Sequence, residues 1–391
     1  MSLTAVEPPR LSDLDWRWAL PRIAALFIVT RLLVLAVAVS VELTQPDTPE
    51  GVAFDDRPIV TSLTAWDGTW HLGIAADGYH AEPTTAVNGR LYVDYAFYPL
   101  YPAVTRIASL AIDGDVPIAG LLVANGAFAL ALVALYALSV RFLTPKRALL
   151  SLWFLALAPG AAAFSMSYSE SLFLLFAVSA FLAAETRHPW IAGIAVALAT
   201  LTRAPGILLV LPLAVLYIQR DGLRPTKAWI PLVLAPLALG GFFAFLWRLT
   251  GDPLAPLTAQ SYWDRPEFLA AAVEAQSAAV TEWLAEPVRG SAGSTLGPIW
   301  VGLLIFHLFL FVFFRPDRIR PAYWLVAILA FVSVVLAASL MSGPRFLAVA
   351  WPFAWVLANR RSRVGQAVVL VAYAALQSVA LWSHFNWITP P

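Results

Sequence analysis

The chain alternates between long apolar runs and short polar connections over most of its length. A helix that crosses the roughly 30 Å hydrocarbon layer of a bilayer needs about 20 mostly apolar residues, and shorter helices are tolerated inside a bundle. This pattern predicts an all-α polytopic membrane protein in which residues 1–391 form a single integral membrane domain. About eleven transmembrane helices are expected, at approximately residues 20–41, 117–140, 148–164, 170–184, 189–202, 206–219, 228–249, 297–314, 321–341, 344–358 and 364–382.

Two polar segments are much longer than the other connections, at residues 42–116 and 250–296. The first contains stretches with the pattern of interfacial helices, so we expect a structured loop there. The sequence TRAPG at residues 202–206 interrupts an apolar stretch with Pro and Gly, which predicts a break between two short helices. No internal repeat is evident, which disfavours a transporter built from inverted repeats.

Basic residues gather in alternate connections. Sixteen of the 25 Lys and Arg residues lie in the N-terminal tail and five alternate connections, whereas 18 of the 24 acidic residues lie on the opposite side. Because Lys and Arg in short loops stay on the cytoplasmic side, this distribution predicts a multi-pass protein of the cell membrane with a cytoplasmic N-terminus. Both long polar segments then lie outside the cell, where we expect the active site.

The composition excludes several classes of function. Charged residues make up only 13% of the chain and the net charge is +1, without a basic stripe, so we expect no nucleic-acid partner. The absence of cysteine rules out disulfides and thiolate metal sites. The five histidines show no paired metal-ligand spacing, so no metal and no cofactor are expected.

An acidic residue stands out in the first polar segment, in AWDGTWHLGIAADGYH at residues 65–80. Trp66 and Trp70 begin an apolar stripe with a four-residue spacing, which is typical of a helix that lies in the headgroup region. Asp67 and His71 form a second pair one position round the same helix. The pattern therefore places a carboxylate and an imidazole beside a membrane-facing stripe.

Two interpretations of Asp67 follow from its position at the start of this helix. Thr64 and Asp67 fit a capping box, in which their side chains satisfy the first free N–H groups of the helix. Alternatively, Asp67 is a general base held at the membrane surface. The pattern alone leaves both interpretations open.

A second motif, YVDYAFYPLYPAVTR at residues 92–106, places an acid among aromatic residues and follows it with two prolines. The aromatic side chains either form an interfacial belt or supply flat surfaces for a sugar or an isoprenoid. Under the second interpretation, Asp94 assists the base or binds a sugar hydroxyl, and Tyr98 contributes to the surface.

A third motif, APGAAAFSMSYSESLFLLF at residues 158–176, places Ser167 three residues before Glu170 at the head of an apolar run. This spacing fits a second capping box. The N-terminus of a helix also attracts anions, because its N–H groups are unpaired. The functional alternative is that Tyr168 and Glu170 line a pocket beside a bound phosphate.

Three arginines lie within predicted helices or at their outer ends. An arginine in hydrocarbon costs several kcal/mol unless it is paired or hydrated, and its guanidinium fits a phosphate. Arg31, Arg203 and Arg345 are therefore candidates for binding the phosphate of a lipid-linked substrate. The alternatives are an ion pair of Arg31 with Glu170 or Asp67, and side chains of Arg203 and Arg345 that reach up to the interface.

These motifs together resemble the PIG-V family, which comprises GPI mannosyltransferase 2 and its bacterial relatives. Its members are polytopic glycosyltransferases of the GT-C superfamily that use polyprenyl- or dolichyl-phosphate mannose. The similarity extends over most of the chain in order and spacing. The matching stretches are WDGTWHLGIAADGY, AFYPLYP, LAPGAAAFSMSYSESLF, TRAPGILLVLP and PRFLAVAWPFAWVL.

The resemblance implies roles for individual residues. An acid in the first outer loop is the base in GT-C enzymes, and the resemblance gives this role to Asp67. Pocket residues implied by the matching motifs are His71, Asp94, Tyr168, Glu170, Arg203 and Arg345. The predicted substrate-binding set is completed by Trp66, Trp70, Tyr98 and Arg31.

The sequence thus predicts an inverting mannosyltransferase that uses a polyprenyl-phosphate sugar donor at the outer membrane face. The expected acceptor is a hydroxyl of a glycolipid, a lipoglycan or a protein, and membrane lipids surround the site. Two alternatives remain. A flippase or transporter for lipid-linked sugars would also contain many spans and buried arginines, and an assembly factor would have the same fold without catalysis.

Overall fold

A computed structural model describes the protein at residues 9–44, 55–85, 91–223, 226–262, 292–314, 319–336 and 342–386. The α-helices of these residues are α1 Trp16–Glu42, α2 Val60–Thr64, α3 Asp67–Asp77, α4 Leu100–Ser109, α5 Val116–Ser139, α6 Pro145–Ala156, α7 Glu170–Glu185, α8 Pro189–Thr202, α9 Val210–Asp221, α10 Leu234–Thr250, α11 Ala255–Tyr262, α12 Ala292–Phe313, α13 Pro321–Leu336, α14 Gly343–Ala348, α15 Pro352–Ala358 and α16 Arg363–Phe385. Stretches of 3-10 helix lie at Leu11–Asp13, Asp94–Ala96, Pro159–Ser165, Ala204–Leu209 and Lys227–Val233. Strands β1 Thr84–Thr85 and β2 Leu91–Tyr92 form a short antiparallel hairpin.

Side-chain caps begin three of the long helices. The carboxylates of Asp15 and Asp115 accept hydrogen bonds from the first turns of α1 and α5. The Ser362 hydroxyl does the same at the start of α16. Each cap satisfies an N–H group that has no partner inside its helix, which fixes the point where the long apolar helix begins.

Five helical stretches of the described residues are long and apolar enough to cross a membrane, and a bent pair makes a sixth candidate. The five are Trp16–Glu42, Val116–Ser139, Ala204–Asp221, Lys227–Thr250 and Arg363–Phe385. The chain is therefore an all-α, multi-pass membrane protein, as predicted. The number of eleven spans is not confirmed.

Two predicted spans are not single helices. The span predicted at 148–164 is a helix that ends at Ala156 and a 3-10 stretch that begins at Pro159, with a bend of 85° between them. The span predicted at 344–358 is divided into α14 and α15, which begins at Pro352. In both places a proline lacks the N–H that would continue the first helix. The break predicted at TRAPG is confirmed, because α8 ends at Thr202.

Helix α7 is the central helix of the bundle. It packs between α5 and α8, and twelve of its sixteen residues are buried. A helix that is apolar on all sides is typical of a protein core or of a membrane span. Its two buried glutamates are its first and last residues, Glu170 and Glu185.

The first long polar segment folds against the bundle through α3 and α4, which pack on each other. The guanidinium of Arg106 in α4 donates to the carbonyl oxygens of Ala75 and Ala76, at 3.1 and 2.9 Å, and so caps the C-terminal end of α3. The second predicted loop, 250–296, includes α11 and the start of α12, whereas residues 263–291 lie outside the described residues.

Candidate active site

The helix that carries Asp67 begins at this residue. Trp66, directly before it, has a φ angle of 58°, a left-handed conformation that bulky residues rarely adopt. The Thr64 hydroxyl donates to the carbonyl of Val60 inside α2, at 2.8 Å. The capping box predicted for Thr64 and Asp67 is therefore wrong, and the turn at Trp66 sets the direction in which α3 leaves α2.

Asp67 is the first member of a chain of four alternating charges. Nη1 of Arg345 lies 2.6 Å from Oδ2 of Asp67, and Nε of the same arginine lies 3.1 Å from Oε1 of Glu170. Arg203 pairs with the same Glu170 oxygen and also donates to the Ser169 hydroxyl at 3.2 Å. The structure thus joins residues from α3, α7, α14 and the end of α8 in one network. We call it the outer charge chain, after the side of the membrane that the sequence predicts for it.

The outer charge chain is buried at its centre and accessible at one end. The side chains of Arg345 and Glu170 are 5% and 2% exposed, whereas that of Asp67 is 31% exposed. The two carboxylates and two guanidiniums together carry no net charge. Each buried charge is thus compensated by an opposite charge, as burial away from water requires. Asp67 is therefore the carboxylate of this chain that a substrate can reach most directly.

Close backbone packing fixes the position of Arg345. A Cβ on Gly160 would lie 2.2 Å from the carbonyl of Pro344 and 2.3 Å from the backbone nitrogen of Arg345, so this contact is possible only for glycine. The guanidinium of Arg345 then lies over the Tyr168 ring, 5.2 Å from its centroid. The face of an aromatic ring attracts a guanidinium, so this cation–π contact helps to hold Arg345 in its ion pair with Asp67.

Tyr168 and Glu170 come from the third motif, but a cap does not explain them. Helix α7 begins at Glu170 with Ser169 at the N-cap position and no side-chain cap, so the capping box predicted for Ser167 is wrong. The Tyr168 hydroxyl donates to the carbonyl of Ala65 at 3.2 Å, two residues before Asp67. Both predicted pocket residues of this motif therefore contact the elements that hold Asp67.

His71 is buried between two aromatic rings one turn further along α3. The ring centroids of Phe97 and Tyr101 lie 5.1 and 5.0 Å from its imidazole, both nearly perpendicular to it. Burial lowers the pKa of His71 to about 3, the charge of Asp67 acts against this shift, and the charges of Arg203 and Arg345 add to it. An imidazole with so low a pKa is a weak base, so we do not expect His71 to take up a proton at physiological pH.

The predicted apolar stripe of α3 packs partly against the protein. Trp66 lies beside His384 of α16, with a centroid distance of 6.1 Å, and Trp70 lies nearly parallel to Phe97 at 6.0 Å. Ile74, the next position of the stripe, is buried. The two tryptophans are thus near Asp67 in the fold, as the sequence predicts.

Asp94 and Tyr98 lie at the other end of α3. Oδ2 of buried Asp94 accepts a hydrogen bond from the backbone N–H of His80 and contacts its ring nitrogen Nδ1, at 2.9 and 2.8 Å. Tyr98 packs on Phe242 of α10, and burial raises its pKa to about 12. The sequence motifs do not predict a role for His80, which lies three residues after the end of α3.

Arg31 does not join the outer charge chain. Its guanidinium lies 4.6 Å from the centroid of Phe128, and its three nitrogens are buried without a hydrogen-bond partner among the described residues. The ion pair predicted between Arg31 and Glu170 or Asp67 is wrong, because Arg345 and Arg203 pair with those carboxylates. The role of Arg31 in substrate binding stays a prediction.

A narrow apolar crevice has Arg203 among its lining residues. It lies between α7, α13, α14 and the start of α15, and apart from Arg203 its walls are mainly aliphatic and aromatic. Residues that line it include Phe173, Leu209, Val326, Leu329, Ala330 and Trp351. Within the described part of the chain, no three His, Asp or Glu side chains are close enough to hold a metal ion.

Residues 22–221 match the family described as Mannosyltransferase (PIG-V), which is half of the chain. The chain belongs to this family. The predicted resemblance to this family is thereby confirmed. None of the curated proteins matches the chain.

The chain is similar to solved structures of membrane enzymes. ArnT from Cupriavidus metallidurans bound to undecaprenyl phosphate matches with 15% sequence identity and a TM-score of 0.51, over 95% of this chain and 76% of that one. The oligosaccharyltransferase of Archaeoglobus fulgidus matches with 13% identity and a TM-score of 0.49, over 94% of this chain. The chain spans 56% of the length of the archaeal enzyme. The likeness to ArnT confirms the predicted GT-C fold.

Proposed function

We propose that the protein transfers mannose, with inversion, from a polyprenyl-phosphate donor to a hydroxyl of a glycolipid, lipoglycan or protein acceptor at the outer membrane face. The observation that carries this proposal is the outer charge chain, in which the accessible carboxylate of Asp67 contacts a buried guanidinium at 2.6 Å. A general base and a cation that stabilises the leaving group are the two parts that this reaction needs.

The donor phosphate binds at Arg345 and Arg203 in this proposal. A guanidinium presents its N–H groups in a planar fork that fits two phosphate oxygens. Arg203 also lines a small apolar crevice, so an apolar surface lies beside this guanidinium. The likeness to ArnT, solved with undecaprenyl phosphate, supports a lipid phosphate as the donor group.

Asp67 takes the proton of the acceptor hydroxyl. Its ion pair with Arg345 stabilises the carboxylate, so Asp67 accepts a proton less readily while that contact is complete. A donor phosphate competes for the guanidinium of Arg345 and so weakens its ion pair with Asp67. Positioned base catalysis typically contributes about 10²- to 10⁴-fold to the rate.

The reaction moves one negative charge past Arg345. The acceptor oxygen forms a bond to the anomeric carbon while the bond from that carbon to the phosphate oxygen breaks, and the bonding electrons stay on the phosphate. The acceptor proton goes to Asp67, which becomes neutral. Arg345 lies between Asp67 and the proposed phosphate site, so its guanidinium can stabilise the negative charge first on Asp67 and then on the phosphate. Glu170 holds both arginines in position through its ion pairs.

A single displacement of this kind inverts the anomeric carbon, so a β-linked donor yields an α-linked product. Retention, as in many glycosidases, uses a second carboxylate as a nucleophile close to the first. Glu170 does not suit that role, because it is 2% exposed and is bound by both arginines.

The outer location of the site rests on the distribution of Lys and Arg. Because the chain contains no cysteine, it can be tested with single introduced thiols. Asp77→Cys, at the end of α3, should react with a membrane-impermeant maleimide in whole cells, and Arg361→Cys, between α15 and α16, should react only after permeabilisation. The opposite result would place the active site on the cytoplasmic side.

The decisive test of transfer uses purified protein in detergent micelles, labelled polyprenyl-phosphate mannose and a lipid extract as the acceptor source. Micelles have no compartments, so a flippase or transporter gives no signal there. Formation of labelled product by the wild type, and its loss in Asp67→Asn, is the expected result. Full activity of Asp67→Asn would overturn the assignment of the base.

A further inference from the structure

A buried glutamine lies inside the last long apolar helix. Gln377 of α16 is 0% exposed, within a helix that is long and apolar enough to cross a membrane. Its Nε2 donates to the carbonyl oxygens of Ala156 and Ala158, at 3.3 and 3.2 Å. Its Oε1 is buried without a hydrogen-bond partner among the described residues. The donor half of this amide is therefore the half in use, and both of its bonds go to one short segment of backbone.

The two carbonyls lie where α6 ends and the chain bends by 85°. In a continuing 3-10 turn, the carbonyl of Ala156 would accept from the N–H of the residue three positions later. That residue is Pro159, which has no N–H. A buried carbonyl without a donor is costly, so a donor must come from elsewhere in the fold. Gln377 supplies it across 221 positions of sequence.

The stretch that follows the bend packs against the helix that carries Arg345. The 3-10 stretch Pro159–Ser165 contacts both α14 and α16. Gly160 is so close to the backbone of Pro344 and Arg345 that a Cβ on it would lie 2.2 to 2.3 Å from their atoms. Because closely packed backbone has no space in which to yield, a shift of the bend displaces the backbone of Arg345.

The position of Arg345 is tightly constrained because its guanidinium is shared. Nη1 lies 2.6 Å from Asp67 and Nε lies 3.1 Å from Glu170. Charged hydrogen bonds are about 2.7–2.9 Å long, so a displacement of about 1 Å would break one of these contacts. Gln377, the bend at Gly160 and the guanidinium of Arg345 thus form a continuous path of contacts.

We propose that Gln377 is a positioning residue for Arg345. Its amide holds the bend that ends α6, and the bend holds the backbone of Arg345 through Gly160. In the contacts described, the amide of Gln377 binds backbone carbonyls, so it acts on the donor site through other residues. This inference rests on the proposed function, because the position of Arg345 affects the donor only if the donor phosphate binds there.

The same helix offers a matched control. Nε2 of Gln366 donates to three carbonyls at the end of α15 and just beyond it, those of Leu357, Ala358 and Arg360, at 3.1, 3.1 and 3.2 Å. Methionine is about as long as glutamine but has no such donor, so Gln377→Met and Gln366→Met remove the same kind of contact at two places. Both variants should melt at a lower temperature than the wild type, but only Gln377→Met should affect the donor site.

Kinetics of the full-length protein in detergent separate positioning from folding. In Gln377→Met, the KM for polyprenyl-phosphate mannose should rise by about fivefold with a smaller change in kcat, whereas Gln366→Met should keep the wild-type KM. In an Arg345→Lys background, Gln377→Met should have little further effect on this KM, because both changes act on the same contact. An unchanged KM in Gln377→Met, an equal rise in both glutamine variants, or additive effects with Arg345→Lys would overturn the inference.

Hydrogen exchange tests the path without any transfer reaction. In Gln377→Met, the backbone amides of residues 160–166 and 342–348 should exchange about tenfold faster than in the wild type, and Gln366→Met should leave both segments unchanged. If residues 342–348 exchange at the wild-type rate in Gln377→Met, the inference is wrong even where transfer is observed. If exchange follows the expected pattern but the wild type forms no labelled product, the failure lies in the proposed function.

Discussion

The two ends of the central helix α7 carry the same kind of residue in two different settings. Glu170 begins the helix and Glu185 ends it, both are buried, and both are approached by arginines. Among the described residues, the arginines at the first end contact side chains, whereas those at the second end also bind backbone carbonyls. This difference is what the proposed exchange of partners at the Glu170 end would require.

At the Glu185 end, the arginines complete the helix. Arg141 donates to the carbonyl of Glu185 at 3.2 Å, and Arg220 donates to the carbonyl of Ala184 at 2.9 Å. Cations there satisfy the last carbonyls and the negative end of the helix dipole. The Tyr323 hydroxyl donates to the Glu185 carboxylate at 2.9 Å, so these groups are committed to holding the bundle together.

At the Glu170 end, the arginines contact carboxylates and one hydroxyl. Arg345 is shared between Asp67 and Glu170, and Arg203 is one of the residues that line an apolar crevice. No backbone carbonyl depends on these guanidiniums in the contacts described. A phosphate can therefore replace a carboxylate as their partner without loss of a helix cap, which is the property that a donor site needs.

The largest effect should come from the base itself. Asp67→Asn keeps the size of the side chain and an oxygen that can accept from Arg345, but it cannot take a proton. We expect transfer to fall by about a hundredfold or more at unchanged expression. Asp77→Asn, at the exposed end of the same helix, is the control and should keep the wild-type rate. Equal rates in the two variants would show that the outer charge chain is as structural as the Glu185 end.

The second largest effect should come from the shared arginine. Arg345→Lys keeps the charge but loses the fork that reaches two partners, so we expect the KM for the donor to rise by about tenfold or more. Arg320→Lys is the matched variant at the Glu185 end, where Arg320 lies 3.6 Å from Glu185. It should leave the donor KM unchanged. A donor KM that changes equally in both variants would contradict the comparison, and melting curves identify any variant that fails to fold.

Local sequence patterns predicted much of this site, because each motif carries its chemistry within a few residues. Sequence motifs, or charged residues within apolar stretches, predicted Asp67, Tyr168, Glu170, Arg203 and Arg345. Their pairing could not be predicted, since Arg345 meets Asp67 across 278 positions of sequence. Burial alone made Arg31 a candidate partner of the same acids, and only the fold shows that other arginines are closer.

Patterning also predicted where most helices lie but missed two bends. An apolar run such as 148–164 has the composition of a span whether or not the chain turns inside it. The bend also brings Gly160 into close contact with Pro344, which lies far away in the sequence, and a local pattern does not reveal this contact. His80 was missed for a related reason, because its exposed position becomes informative only when buried Asp94 is found behind it.

A smaller effect should appear at the Glu185 end, and on stability alone. Tyr323→Phe removes the hydroxyl that donates to the buried Glu185 carboxylate and leaves that oxygen short of a donor. We expect a loss of roughly 1 kcal/mol in the free energy of unfolding. Transfer kinetics at saturating donor should not change. A lower kcat at unchanged stability would show that this end also takes part in the reaction.

The smallest effect concerns His71, beside the outer charge chain. The pKa of His71 is near 3 in the folded protein and 6.5 for a free imidazole. Between pH 3 and pH 6.5, the unfolded chain therefore binds a proton at this residue and the folded protein does not. The contribution of neutral His71 to the free energy of unfolding is therefore full well above pH 6.5. It decreases as the pH falls below that value, by roughly 0.8 kcal/mol at pH 6.

His71→Phe keeps an aromatic ring against Phe97 and Tyr101 but cannot be protonated. Its melting temperature should therefore fall less than that of the wild type between pH 7.5 and pH 6, and other buried histidines cancel in this comparison. The pH profile of transfer should be the same in both proteins, because neutral His71 carries no proton in the reaction. If the substitution instead shifted the pH profile of kcat, His71 would take part in the reaction. Its side chain would then have to become less buried during turnover.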